Sequence, residues 1–203
     1  DCQSIVKKAV LTALGRKYKR SFFPENGETY RVEFVISSDE ATIYLNTSGD
    51  GLHKRGWRDL VYEAPIKETL ACAMLELSDF SSENPFCDPF CGSGTIIIEA
   101  ARKALGIAPG LERSFDYQKW DFFDENAYKT AKEEALDGIK TDKNLHFYGS
   151  DINPKAISLA VRHAARAGVK DKIHLQTMNV SDFRCSKKDG CIVTNPPYGE
   201  RLL

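Results

Sequence analysis

Apolar positions recur along this chain with two different periods, and the change of period divides it. From residue 4 to residue 18, Ile5, Val6, Ala9, Val10 and Ala13 return every three or four residues, which predicts a helix with one face toward a core. Tyr30, Val32, Phe34 and Ile36 then alternate with polar residues, as do the positions from Ala41 to Leu45. Ser37-Ser38-Asp39-Glu40 between the two runs predicts a hairpin. One helix and one hairpin bury too little to stand alone. A polar, glycine-rich stretch, Asn46-Thr47-Ser48-Gly49-Asp50-Gly51, follows as a linker. Helical spacing resumes at Ala64-Pro65, with Ile66, Leu70, Ala73, Met74 and Leu77 turned inward.

The rest of the chain alternates short strand-like runs with helical ones, the pattern of an α/β domain with a parallel sheet. Phe86 and Cys87 lead into Asp88, a turn rich in glycine, and a helix from Thr95 through Leu105 to Gly106. Leu145 to Ser150 ends at Asp151, and Asn153-Pro154 opens the next helix with a cap residue followed by proline. Ile157, Ala160, Val161, Ala164 and Gly168 share one face of that helix. Lys172 to Met178 is a third strand, leading to Asn179-Val180-Ser181-Asp182-Phe183, and Gly190 to Thr194 is a fourth, leading to Asn195. Residues 106–144 form an insertion with Trp120-Asp121-Phe122-Phe123 and a charged helix from Glu125 to Leu136, expected to cover one face of the sheet and to carry no chemistry.

Composition narrows the class. With 28 Lys and Arg against 29 Asp and Glu, the formal net charge is −1, which argues against a blanket nucleic-acid binder and shifts attention to local clusters. No run of 18 or more apolar residues exists, and Asp1-Cys2-Gln3 does not open a signal peptide, so no membrane partner is expected and the cytoplasm is the expected compartment. The six cysteines, at 2, 72, 87, 91, 185 and 191, lack the two-residue spacing of a zinc knuckle. They read as reduced, mostly buried thiols with no metal.

The chemistry gathers at the strand ends. In an open α/β sheet, ligands bind beyond the carboxyl ends of the strands, which brings Asp88, Asp151, Asp182 and Asn195 to one rim. In Asp88-Pro89-Phe90-Cys91-Gly92-Ser93-Gly94-Thr95 the two glycines allow a ligand close to the backbone, and the helix N-terminus behind them offers free N–H groups to an anion such as a methionine carboxylate. A dinucleotide fingerprint needs a third glycine where Ile97 stands, and a phosphate loop needs a lysine after Gly94. Asp151 can accept both hydroxyls of a ribose, while Asp182 with Phe183 can meet an adenine amino group. Either carboxylate can also be an ordinary cap or turn residue. Asn195-Pro196-Pro197-Tyr198 supplies an amide oxygen, a carbonyl on a rigid proline pair and an aromatic ring, a clamp for a planar amine. A cradle for a zwitterionic adenosyl ligand opposite such a clamp points to methyl transfer from S-adenosylmethionine to an exocyclic nitrogen.

Two basic clusters interleave with aromatic residues: Arg16-Lys17-Tyr18-Lys19-Arg20 and His53-Lys54-Arg55-Gly56-Trp57-Arg58. Lys54, Arg55 and Arg58 can track phosphates, and Trp57 can stack a base. The alternatives are a solvated helix end, where cations also suit the helix C-terminus, and a solvated linker.

On the Thr47–Arg58 linker, Ala64-Pro65-Ile66-Lys67-Glu68-Thr69-Leu70, the loop from Asp88 to Thr95, Asp151-Ile152-Asn153-Pro154 and Asn195 to Arg201, the chain resembles THUMP-domain-containing bacterial 23S rRNA guanine-N2-methyltransferases. The resemblance implies the C-terminal half of a THUMP-like RNA-binding domain over residues 1–46, a linker over 47–63 and a Rossmann-like methyltransferase domain over 64–203. It implies cofactor contacts from Pro65, Thr69, Phe90, Gly92, Gly94, Thr95 and Ile152 besides the strand-end acids. Pro65 helps to close the methionine end of the pocket, and Asn195, Pro196, Pro197 and Tyr198 form the catalytic segment. Ribosomal RNA is the implied partner. DNA amines, a protein glutamine amide, or RNA binding without catalysis are the alternative functions. Catalytic domains of that family have seven strands, so with four strands before Leu203 the chain is expected to be a portion of a longer protein.

Overall fold

The computed structural model of the chain describes residues 2–60, 65–184 and 189–198. Ala64, Cys185 and the segment from Gly199 through Arg201 to Leu203, which enter the expectations above, lie outside them.

Four short parallel strands, β3 (Phe86–Asp88), β4 (Phe147–Asp151), β5 (Ile173–Thr177) and β6 (Cys191–Ile192), form one sheet in the order β5-β4-β3-β6. The chain steps outward from β3 to β4 and β5, then returns to the far side of β3 as β6. This reversal puts a crevice beyond the ends of β3 and β6, where such sheets take ligands. Strands β4, β5 and β6 are shorter than their sequence patterns, and β3 is not. Backbone pairing of β6 stops after the Val193 N–H reaches the Cys87 carbonyl at 3.2 Å.

Helix α3 (Thr95–Ala104) is the centre of the core. Ile96, Ile97, Ile98, Ala100 and Ala101 are all buried, since α2 (Glu68–Leu77) lies against one side and the sheet and α5 (Pro154–Arg166) against the other. Phe86 and Phe147 meet across the sheet at 5.4 Å between ring centroids, with Phe80 edge-on to both. Helix α5 buries Ala156, Ile157, Ala160 and Ala164, close to the face its periodicity indicates.

The phase of α2 differs from that expectation. Ala71 and Leu75 are buried, whereas Leu70 is 53% and Leu77 90% exposed. Polar partners set the rotation: Arg58 Nε donates to Glu68 Oε1 at 2.8 Å, and the Cys72 thiol donates to Glu99 Oε2 at 3.0 Å. Glu68 and Cys72 therefore face inward together with Ala71 and Leu75, a preference that a count of apolar positions does not contain.

The N-terminal helix α1 (Cys2–Tyr18) and the hairpin of β1 (Arg31–Ser37) and β2 (Glu40–Asn46) form where the periods place them. Ser38 and Asp39 have φ of 50° and 62°, the backbone of a tight hairpin turn matched to strand twist. The expected burial of the α1 apolar face is not seen among the described residues: α1 buries none of its residues and Ile5 is 68% exposed. A two-stranded ribbon is too narrow to cover it.

Two further expectations are corrected. Residues 47–60 are not a solvated linker, because Arg55 and Trp57 are buried in the core. The insertion, whose helix α4 (Glu125–Asp137) is capped by Asp124, does not serve mainly as a cover for the sheet; its stretch from Arg113 to Trp120 hydrogen-bonds to the N-terminal segment. Arg113 donates to the carbonyls of Ser48, Asp50 and Gly51, the Tyr117 N–H to Thr47, and the Trp120 indole to Thr29 at 3.2 Å. The Trp120 ring also stacks on Tyr30 at 5.1 Å.

Candidate active site

The turn after β3 is shaped by two glycines in the left-handed region, Gly92 at φ 52° and Gly94 at φ 87°. They do different work. A Cβ on Gly94 would lie 3.0 Å from Ala160 Cβ, so this glycine lets α3 and α5 pack closely, whereas a Cβ on Gly92 would point into open space. That space is a cleft of two lobes. The inner lobe is enclosed by Asp88, Cys91, Gly92, Ser93, Thr95 and, from the start of the α2 segment, Pro65. The outer lobe, about 720 Å³, is bounded by Ile152, Asn179, Val180, Pro196 and Pro197 among others. Phe90, Gly92, Asp151, Asn153 and Asn195 line both lobes.

Asp151 ends β4 with both carboxylate oxygens already engaged. Oδ2 accepts the Gly92 N–H at 2.9 Å and Oδ1 accepts the Asn153 N–H at 2.8 Å. Each oxygen keeps a second lone pair for a hydroxyl. The carboxylate is thus oriented by the loop that it orients, which suits the grip on a vicinal diol expected of it.

Asp88 is 1% exposed, and its Oδ1 accepts the Thr194 hydroxyl at 2.7 Å. Among the described residues, its Oδ2 has no hydrogen-bond partner. Burial pushes this carboxyl up to about 7, although the Thr194 hydroxyl and the Phe90 N–H pull it down. A buried acceptor without a donor is costly, so its presence in a cleft wall marks a place for a cationic or donor group from a ligand. Cys91 lines the same lobe, and burial pushes its thiol upward, so it is a neutral wall rather than a nucleophile.

The loop is held from behind. The buried His163 of α5 donates from Nδ1 to the Ser93 carbonyl at 3.1 Å, and desolvation lowers its pKa, so the ring is neutral. Arg58 reaches Thr95 Oγ1 at 2.6 Å and Ser93 Oγ at 3.3 Å while stacking on Trp57 at 5.0 Å. The Trp57 indole donates to Glu99 at 3.3 Å, and Arg55 pairs with the same carboxylate at 3.5 Å. Arg55, Trp57 and Arg58 are therefore spent on anchoring their own segment to α2 and α3. This corrects the expectation that they present a phosphate-binding surface; of the four residues assigned to RNA, Lys54 alone is well exposed.

The cleft gathers most of the cofactor residues expected from the sequence: Pro65, Asp88, Phe90, Gly92, Thr95, Asp151, Ile152 and Asn195, with Pro196 and Pro197 of the clamp. It does not gather Thr69, which is exposed on the first turn of α2, or Gly94, which is buried in packing. Nor do Asp182 and Phe183 line it. They stand at the far end of the short turn Val180–Asp182, and Met178, Asn179 and Val180 supply that wall instead. Tyr198 is 67% exposed and lines neither lobe. The residues not foreseen are Ser93, Asn153, Asn179, Thr194 and His163. Asn153 was legible only as a cap and Asn179 only as part of the segment after a strand; Thr194 carried no signal, being a β-branched residue in a strand-like run. Among the described residues, no group of His, Cys, Asp and Glu is placed to hold a metal, and no helix is long and apolar enough to cross a membrane.

Comparison with known proteins places this geometry. The model of the UPF0020 family, described as RMKL-like, methyltransferase domain, matches residues 55–203. The "Putative RNA methyltransferase YpsC" of Bacillus subtilis is 43% identical over the whole chain, which spans 53% of that protein. A "Ribosomal RNA large subunit methyltransferase K/L" of Shewanella woodyi is 44% identical over 85% of the chain and 25% of its own length. Among solved structures, a "predicted N6-adenine-specific DNA methylase" of Listeria monocytogenes superposes with a TM-score of 0.91 at 44% identity, over 99% of this chain and 53% of the other. SMU.472 complexed with SAH superposes at 0.90 with 38% identity, over 99% and 53%. The chain thus spans about half the length of the Bacillus relative and of both structures, and a quarter of the K/L relative.

Proposed function

The chain belongs to the UPF0020 family of RMKL-like methyltransferase domains, and from that footing we propose that it transfers a methyl group from S-adenosylmethionine to an exocyclic base amine in RNA, guanine N2 of large-subunit ribosomal RNA. One observation carries the reading: Asn195, at the head of the clamp, lines both lobes of the cleft and so stands between the acids of the inner lobe and the open outer lobe. The names of the K/L and YpsC relatives support RNA and the ribosome as the source of the amine. The resemblance of residues 1–46 to half of a THUMP domain gives the RNA a second contact surface, with exposed Lys54 at its boundary.

In this reading Asp151 holds the ribose hydroxyls, and the wall of Met178, Asn179 and Val180 meets the adenine. Asp88 Oδ2 takes the ammonium of the methionine end, with Pro65 closing that end and Gly92 giving way to the ligand. S-adenosylmethionine, when bound, supplies an electrophilic methyl group on a sulfonium. An exocyclic amine has its lone pair delocalised into the base and is a poor nucleophile. The Asn195 amide oxygen and the Pro196 carbonyl each accept one N–H, which favours a pyramidal nitrogen with its lone pair directed at the methyl carbon. Pro196 and Pro197 keep the two acceptors fixed while this happens. Asn195 is not a base, so the proton passes to solvent after transfer. Tyr198, at the mouth, stacks on the incoming base.

Asn195→Ala tests the assignment. In the protein as its gene encodes it, the substitution leaves affinity for S-adenosylhomocysteine intact and lowers turnover by roughly 10²–10³, the range for removal of a preorganised polar group that acts at the transition state. Wild-type turnover in the variant removes Asn195 from the reaction. The clamp itself accepts any planar amine, and the Listeria relative is named for adenine N6. Label recovered as N6-methyladenine moves the base assignment and leaves the clamp chemistry in place.

A further inference from the structure

Backbone pairing between β3 and β6 ends with the Val193 N–H on the Cys87 carbonyl, yet the two chains remain joined for one more residue. The joint is the Thr194 hydroxyl, which donates to Asp88 Oδ1 at 2.7 Å. Asn195 comes next, and Pro196 and Pro197 after it have no N–H to offer. Among the described residues, the Thr194 bond is therefore the last hydrogen bond that fixes the chain before the clamp. Its acceptor is buried and shared: Asp88 Oδ1 serves Thr194, while Asp88 Oδ2, in the wall of the inner lobe, has no partner among the described residues.

We infer that Thr194 is a positioning residue for methyl transfer, its hydroxyl tying the clamp at Asn195 to the buried carboxylate of the cofactor lobe so that occupancy of that lobe and placement of the amine are set by one side chain. The inference rests on the proposed reaction and adds to it a coupling between the two lobes. A ligand ammonium at Oδ2 favours the ionised carboxylate, and a carboxylate is a stronger acceptor for the Thr194 hydroxyl than a carboxylic acid. Cofactor binding thereby tightens the clamp before the amine arrives. The groups that face Asp88 are Asp151 from β4, which opposes its ionisation, the Phe90 N–H and Cys91 from the loop, and Thr194 from the end of β6.

Thr194→Val keeps the shape and removes the donor; Thr194→Ser keeps the donor. Both are tested in the protein as its gene encodes it, for S-adenosylhomocysteine affinity by calorimetry and for methyl transfer to unmodified ribosomal RNA between pH 6 and pH 9 as buffers allow. The valine variant is expected to bind the ligand within about threefold of wild type above neutral pH, and to transfer about 10–10²-fold more slowly, the scale of a small misplacement of reacting groups. Its acid limb lies at higher pH than that of wild type, since the lost hydroxyl was one of the bonds lowering the Asp88 pKa. The serine variant restores both rate and limb. A valine variant with wild-type rate and limb overturns the inference. So does a loss that is equal at every pH and unrestored by serine, which marks a packing role only. If wild-type protein binds the ligand and methylates no RNA, the proposed reaction fails first and the coupling falls with it.

Discussion

Asp88 shows at the scale of one residue how a site is held ready at a cost. Burial opposes the charge and pushes its carboxyl up to about 7 from an ordinary value of 3.8. The folded protein therefore holds a proton that the unfolded chain has released in the window between those values. Stability contributed by this group is present below the unfolded pKa and declines as pH rises toward the folded one. Asp88→Asn removes that decline. The ligand-free variant is expected to melt higher than wild type at pH 8 and nearly level with it at pH 4, while its affinity for S-adenosylhomocysteine falls because the ammonium loses its anion. Thermal melts at the two pH values, with calorimetry beside them, check both halves. A variant with lower stability at pH 8 contradicts the burial account.

At the scale of an element, the turn between β3 and α3 separates packing from binding. Gly92 and Gly94 both have positive φ, so alanine at either position carries a backbone cost of roughly 1–2 kcal/mol. Gly94→Ala adds contact with Ala160 and Ile98 and should lose stability beyond that amount. Gly92→Ala meets no atom of the described residues within 4 Å and should instead lose ligand affinity, because its methyl group enters the cleft. Equal stability losses with unchanged affinity in both variants would contradict this division. The glycines, the strand-end acids Asp88 and Asp151, and the cap at Asn153 were legible in the sequence because each is a local signal: a residue type at a fixed place in a strand-turn-helix unit. What was not legible depends on partners far away in the chain. The phase of α2 follows from Arg58 and Glu99, the burial of Trp57 from the Glu99 carboxylate, and the wall at Asn179 from how sharply the chain turns after β5. Asp182 was chosen as an acid following a strand, but the short turn puts Asn179 and Val180 nearer the cleft.

At the scale of the whole molecule, residues 47–60 join the N-terminal segment to the cleft as a packed strap. One end is held by Arg113 and Tyr117 of the insertion, and the other by Glu99, Glu68 and the loop at Ser93. Asp59 continues the attachment to α5 through Arg162 and Arg166, and its carboxyl is held below the ordinary value by Arg162. The strap fixes residues 47–60 against the walls of the cleft, and that is the work of the buried Arg55 and Trp57 and the half-buried Arg58. If this cleft methylates guanine N2 of ribosomal RNA as proposed, nucleoside mass spectrometry of large-subunit RNA detects the product. A strain lacking the gene should lose N2-methylguanine, regain it from a copy encoding the wild-type protein and fail to regain it from the Asn195→Ala copy. N2-methylguanine at wild-type level in the deletion strain would contradict the account.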